Sequence, residues 1–301
     1  NSMATKKANT NDFSEYKRKF WQLFAYGFLG VILLFLFASW GFFGKMPSFD
    51  DLENPDSNVA TEIISSDGVV IGKFFKENRT PVKYEELPQH LVKALVATED
   101  ERFYEHSGID AKGTLRAVVR LGRDGGASTL TQQLAKNLFH GEGSKFILFR
   151  VIQKVKEWII AIRLERQYTK QEIIALYLNQ VDFVNGAVGI RSAAKIYMNK
   201  EPKDLTIEEG ALFVGMLKNP SLYNPNRKKR AQLVLDRRNT VLGQMVKNGV
   251  ISESKKAELS KLPVKLDFRP ESHSEGSATY FREYLRDYMK KWVKDHLKED
   301  G

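Results

Sequence analysis

From Phe20 to Gly44 the chain runs for 25 residues without a charged side chain. A mainly apolar stretch of that length spans a bilayer's hydrocarbon core as a tilted helix. Lys17, Arg18 and Lys19 precede it, and Asp50, Asp51, Glu53 and Asp56 follow it. Cationic flanks stay on the cytoplasmic side. Residues 1–19 therefore read as a cytoplasmic tail, 20–44 as a transmembrane anchor, and the bulk of the chain as extracytoplasmic. The apolar run exceeds that of a cleaved signal peptide, and no small-x-small cleavage pattern follows it. A buried core helix is the competing reading, and the charge asymmetry argues against it.

Topology narrows what the charge means. The 301 residues carry a net charge of +10. Such a balance favours nucleic acid, phospholipid headgroups or a phosphorylated substrate. A basic surface outside the cell leaves no nucleic acid to bind. There is no cysteine, which excludes disulfides, cysteine zinc sites and a thiol nucleophile. The histidines (His90, His106, His140, His273 and His296) show no metal-ligand spacing, so no protein-built metal site is expected.

Residues 45–82 read as an acidic, Pro-containing stalk followed by a β-hairpin: Val59 to Ser65, a turn at Asp67-Gly68, and Val69 to Phe75. From Pro88 onward the pattern is almost entirely helical, so the chain is expected to be mainly α, with its core domain over 83–262. Thr169 with Glu172, and Thr206 with Glu209, form capping boxes that open helices. A basic helix is expected from about Arg227 to Lys247, closed at Asn248-Gly249, and Pro220 reads as a helix stop. Residues 263–301 read as a linker and the start of a following domain that is cut off. Their stripe of Phe281, Tyr284, Leu285, Tyr288, Met289, Trp292 and Val293 falls on one helix face.

Three clusters could carry chemistry. In the first, Glu99 to Gly108, Glu99 sits where an apolar helix turns charged. A carboxylate at such an edge is suited to general acid or base work, and equally to a solvated helix end. The second, Gly125 to Asn137, leads from two glycines through Ser128 and Thr129 into a helix. Its N-terminus could bind an anion, with Ser128, Gln132 and Lys136 on one face. The bland alternative is a capped helix with a polar face. It is not a P-loop, because the Gly-Lys-Ser/Thr ending is missing. The third, Gln153 to Glu157, lies inside the apolar and basic stretch Phe146 to Leu164. That stretch suits a membrane surface or a core helix with basic flanks, and it supplies Glu157 as a second carboxylate.

Together these clusters resemble the peptidoglycan glycosyltransferase domain (family 51) of class A penicillin-binding proteins. The Glu-Asp-x-x-Phe-x-x-His-x-Gly motif is matched from Glu99 to Gly108. The Gly-Gly-x-Ser-Thr-x-Thr-Gln-Gln-Leu-x-Lys-Asn motif is matched from Gly125 to Asn137. The Arg-Lys-x-x-Glu motif appears as Gln153 to Glu157, and a fourth runs from Lys170 to Tyr177-Leu178-Asn179. The resemblance covers about Val59 to Val250. It implies a lysozyme-like α head with a smaller membrane-proximal jaw containing Phe146–Ile152. It also implies polymerisation of lipid II onto a growing glycan chain, with release of undecaprenyl pyrophosphate, at the bacterial cytoplasmic membrane. Membrane lipids and other cell-wall synthesis proteins are the further partners it implies, and moenomycin-type phosphoglycolipids the inhibitors.

In that reading Glu99 is the general base that deprotonates the acceptor hydroxyl, with inversion at the anomeric carbon. Glu157 orients groups at the pyrophosphate. Lys136 balances the leaving group, with Arg116 and Arg237 or Arg238 nearby, and a divalent cation (Mg or Mn) shares that task. Asp100, His106, Ser128, Thr129, Gln132, Gln133, Asn137, Lys154 and Asn179 contact substrate. Three positions depart from the family pattern: Gln153 replaces Arg, Val184 stands where Gly is common, and Tyr197-Met198-Asn199 replaces Tyr-Phe-Gly. Ser14–Lys17 and Ser252–Lys255 match Ser-x-x-Lys by chance, since no Lys-Thr-Gly accompanies them. A lysozyme-like hydrolase and a non-catalytic scaffold of the cell-wall machinery are the rival readings.

Overall fold

The structure is a computed structural model that describes residues 10–43, 61–64, 66, 70–74, 81–119, 128–139, 146–269 and short pieces between 284 and 292. Helix α1 (Thr10–Ser39) contains the apolar run. It starts ten residues before Phe20, within the expected tail, and stops five short of Gly44. Apolarity sets where a helix can cross a membrane, not where it begins. The polar end is supported by a Glu15–Lys19 pair at 3.0 Å across one turn. At the other end the chain turns through Gly41, whose φ of 78° suits glycine. By length and composition, Phe13–Ser39 is one candidate membrane span among the described residues.

The hairpin is present, and the outer ends of its expected strands lie outside the described residues. Strand β1 (Thr61–Ile64) pairs antiparallel with β2 (Val70–Phe74), with Thr61 opposite Phe74 and an irregularity between Ile63 and Ile64. Ile64 pairs with Val70, and the turn expected at Asp67-Gly68 lies outside the described residues. The aromatic stripe's Phe281 and Val293 also lie outside them. Its Tyr284, Tyr288, Met289 and Trp292 are exposed.

The core is helical, as the periodicity predicts. Its described helices are α2 (Gln89–Glu99), α3 (Ala111–Val119), α4 (Leu130–Phe139), α5 (Ile147–Gln167), α6 (Lys170–Gln180), α7 (Ile190–Met198), α8 (Ile207–Leu217), α9 (Ala231–Lys247) and α10 (Glu253–Ser260). Helix α8 lies at the centre: every residue from Gly210 to Met216 is buried, and α2 and α9 pack against it. A helix apolar on all sides belongs inside a domain. Both capping boxes form. Thr169 N–H donates to Glu172 at 2.7 Å, and Thr206 N–H donates to Glu209 at 2.9 Å. The basic helix begins later than expected, because Lys228–Arg230 form a 3-10 turn before α9. Gly249 then takes a φ of 68° at its far end.

Two of the family departures sit at left-handed backbone positions. Asn199 caps α7 with a φ of 51°, a conformation that Asn tolerates nearly as Gly does. Val184 also takes a left-handed φ, 57°, which a β-branched residue adopts only under strain.

Candidate active site

The first motif is built around a close approach. Gly108 has φ of 86°, and a Cβ there would lie 2.8 Å from the Ala161 carbonyl oxygen on α5. Glycine alone lets this loop lie against the helix. Its carbonyl accepts from Thr129 Oγ1 at 2.7 Å and Gln132 Nε2 at 3.1 Å. Phe103, fully buried, pins the same loop. Lys170 Nζ lies 4.2 Å from its ring centroid and donates to the His106 carbonyl at 2.7 Å. These contacts join the first motif to the second and explain the motif's Phe and Gly.

The second motif corrects one expectation. Helix α4 starts at Leu130, so Ser128 precedes it rather than sharing a helical face with Gln132 and Lys136. Nor is its N-terminus open for an anion in the way expected. Asp100 accepts from Leu130 N–H at 3.0 Å, and Thr129 Oγ1 accepts from Gln132 N–H at 3.2 Å. Asp100, 8% exposed, also lies 3.1 Å from His106 Nε2. Asp100, His106 and Thr129 thus assemble the loop and helix from within the protein. Asn179 does similar work elsewhere, exchanging two hydrogen bonds of 2.9 Å with the backbone of Val82. His106 and Asn179 line neither cavity described below.

Two cavities meet at Glu99, the last residue of α2. The smaller, about 470 Å³, includes Glu101, Arg116, Arg237 and Lys247 in its walls. The larger, about 810 Å³, includes Gln132, Lys136, Asn137, Lys154 and Glu157. Glu99, Ser128, Gln133 and Lys218 belong to both. The walls carry hydroxyl, amide, ammonium and guanidinium groups around a side chain only 16% exposed. This set suits a hydroxyl-rich, phosphorylated ligand.

Around Glu99 the contacts are specific. Gln133 Nε2 donates to Glu99 Oε2 at 3.1 Å, while Tyr177 Oη donates to Gln133 Oε1 at 3.0 Å. Arg237 Nη2 lies 3.8 Å from Glu99 Oε1, and its Nε donates to the Gly215 carbonyl at 3.2 Å. Across the larger cavity, Lys154 Nζ donates to Ser128 Oγ at 2.8 Å and to Glu157 at 3.0 Å. Glu157, 9% exposed, therefore holds a lysine. Lys136 and Asn137 are exposed at the rim. Arg116 stands 3.9 Å from Glu101 and lines the smaller cavity, whereas Lys136 lines the larger.

Arg238 is not part of this site. It is 1% exposed, and its guanidinium donates to the carbonyls of Leu262 at 2.8 Å, Ser260 at 3.2 Å and Leu259 at 3.3 Å. It closes the end of α10, and Arg237 is the one of the pair that faces Glu99. Gln153 lines neither cavity. Sequence reasoning gave no part to Lys218, just past α8, and none to Tyr177 beyond its place in the fourth motif.

The sequence profile of the transglycosylase family matches residues 67–246. The chain belongs to the transglycosylase family. It is 43% identical over 203 residues to penicillin-binding protein 1F of Bacillus subtilis, covering 65% of this chain and 27% of that protein. It is 39% identical over 232 residues to penicillin-binding protein 1A of Vibrio cholerae, covering 75% and 27%. With penicillin-binding protein 1A of Escherichia coli it shares 37% over 213 residues, covering 69% and 24%. The chain thus spans about a quarter of the length of these relatives. A crystal structure of penicillin-binding protein 1A from Haemophilus influenzae aligns over 80% of this chain and 25% of that one, at 24% identity and a TM-score of 0.44.

Proposed function

We propose that this chain is a peptidoglycan glycosyltransferase that polymerises lipid II at the outer face of the cytoplasmic membrane, with Glu99 as general base. The observation that carries the reading is the position of Glu99 between two polar, cation-bearing cavities in a transglycosylase-family chain. A displacement with inversion needs the nucleophile and the leaving group on opposite sides of the anomeric carbon. The smaller cavity would hold the acceptor lipid II, its sugar hydroxyl near Glu99 and its pyrophosphate toward Arg116. The larger would hold the growing glycan chain on its lipid pyrophosphate.

Glu99 takes the hydroxyl proton as the oxygen attacks the anomeric carbon. The glycosidic bond to pyrophosphate breaks, and undecaprenyl pyrophosphate departs as an anion balanced by Lys136 and Lys218. Ser128, Gln132 and Asn137 contact sugar or phosphate. Glu157 holds Lys154 at Ser128, which keeps that ammonium directed into the site. A divalent cation would be held mainly by the pyrophosphate oxygens and would share the charge of the leaving group. Among the described residues no three His, Asp or Glu side chains converge on a metal position.

Membrane attachment follows the same logic. Helix α1 exposes Phe20, Trp21, Phe24 and Phe28, and the start of α5 exposes Phe149 and Val151 beside Phe146. Lys156 Nζ donates to the Phe43 carbonyl at 2.7 Å, and the Phe35 and Trp158 rings are 6.1 Å apart. The anchor and the start of α5 would therefore share the outer leaflet, with the N-terminus inside the cell.

The test is polymerisation of labelled lipid II in detergent with a divalent cation, comparing the chain with Glu99→Gln. Long strands from the parent, and at least about a hundredfold less from the variant, are expected. Cleavage of preformed strands would make the chain a hydrolase. No polymer from a folded parent that binds a phosphoglycolipid would favour a scaffold role.

A further inference from the structure

We infer that Tyr177 is a positioning residue for Glu99, acting through Gln133: the buried hydroxyl decides which end of the Gln133 amide meets the carboxylate. This rests on the reading of Glu99 as the base. Tyr177 is 2% exposed, on the inner face of α6. Burial, followed by the nearby Glu99 charge, pushes its phenol well above the usual range. It therefore stays a neutral donor. Its hydroxyl proton has one acceptor among the described residues, Gln133 Oε1 at 3.0 Å.

That contact fixes the amide. With Oε1 turned to Tyr177, Nε2 must face Glu99, where it donates at 3.1 Å. Reversing the amide would bring two acceptor oxygens together and strand the phenolic proton in a buried setting. In this order Gln133 offers Glu99 a donor and no acceptor, an arrangement that favours the carboxylate over the acid. It also occupies Oε2, so Oε1 is the oxygen left toward Arg237 and the substrate. A phenylalanine would leave the amide free to reverse and to accept a proton from a protonated Glu99. The protonated, idle form of the base would gain.

The other charged groups around Glu99 are the same in both cases. Arg237 approaches from α9 at 3.8 Å. Lys218, Arg116, Lys136 and the Lys154–Glu157 pair stand around the two cavities. None of them is hydrogen-bonded or ion-paired to Tyr177, so removal of its hydroxyl leaves them in place.

The test is Tyr177→Phe in the full chain, read in lipid II polymerisation across pH. A kcat roughly three- to thirtyfold lower is expected, with KM changed less than about twofold. The acid limb of the kcat/KM profile should move up by about half a pH unit. Gln133→Met should do the same, and the double variant should lose no more than Gln133→Met alone, because Tyr177 acts only through that amide. Losses that multiply, or an unmoved acid limb, would overturn the inference. If Tyr177→Phe does not fold, Gln133→Met carries the same test. A readout independent of turnover is carbon-13 NMR titration of the Glu99 carboxyl, assigned by its loss in Glu99→Gln. An upward displacement in Tyr177→Phe supports the relay, and an unchanged titration sinks it. A parent that makes no polymer yet shows the displaced titration would refute the functional reading and leave the relay standing.

Discussion

Gly108→Ala separates two costs that usually come together. The first is conformational: a residue with a Cβ in the left-handed region costs about 1–2 kcal/mol. Loss of glycine's unfolded-state freedom returns about 0.4–1 kcal/mol. The second is steric. The added Cβ would lie 2.8 Å from the Ala161 carbonyl oxygen and 2.9 Å from its carbon. Both atoms belong to the backbone of α5 and cannot rotate away, so either the helix or the loop shifts. Overpacking of this kind costs about 1–3 kcal/mol, for a net loss of about 1–4 kcal/mol. At about 2–4 °C per kcal/mol for a domain of this size, the melting temperature should fall by about 2–16 °C. Gly186→Ala is the internal control. Its φ of 77° is equally left-handed, but nothing lies within 4 Å of the added Cβ. It should lose about 1 kcal/mol or less. Melting both variants by circular dichroism decides the matter. Equal losses for the two would refute the claim that the first motif's glycine is there for close approach to α5.

Val184→Gly should raise the melting temperature by about 1–3 °C in the same assay, since relief of a left-handed β-branched residue outweighs the entropy that glycine adds. Arg238→Met should destabilise the chain by about 2–4 kcal/mol in urea unfolding, because the carbonyls that end α10 lose their donor. The Thr169 backbone and hydroxyl hold the Glu172 carboxyl below its ordinary value. Stability from a depressed carboxylate is present above the unfolded value and is lost as pH falls through the folded one. Glu172→Gln should therefore melt below the parent near neutral pH, with the gap closing as pH falls below the ordinary carboxylate range. Lys136→Met should lower polymer yield and weaken its inhibition by added salt, if that ammonium balances the leaving pyrophosphate.

Much of this protein was legible in local pattern. The apolar run with its charge asymmetry, the helical periodicity after Pro88 and both capping boxes depend on residues a few positions apart. Chain chemistry alone determines such features. Glu99 was also visible, as the point where an apolar helix turns charged. Which neighbouring side chains are free for a ligand was not visible. Asp100, Thr129 and Asn179 also hold partners 30, 21 and 97 residues away, and of the three only Asp100 and Thr129 line a cavity at Glu99. Arg237 and Arg238 are adjacent in sequence, and helix rotation sends one to Glu99 and the other to the end of α10. Tyr177 and Lys218 acquire a part only because α6 and the end of α8 meet α4 and α2 across the cavities. A hydrogen bond is a distance and an angle between groups. For groups far apart in the chain, only the packed helices set both.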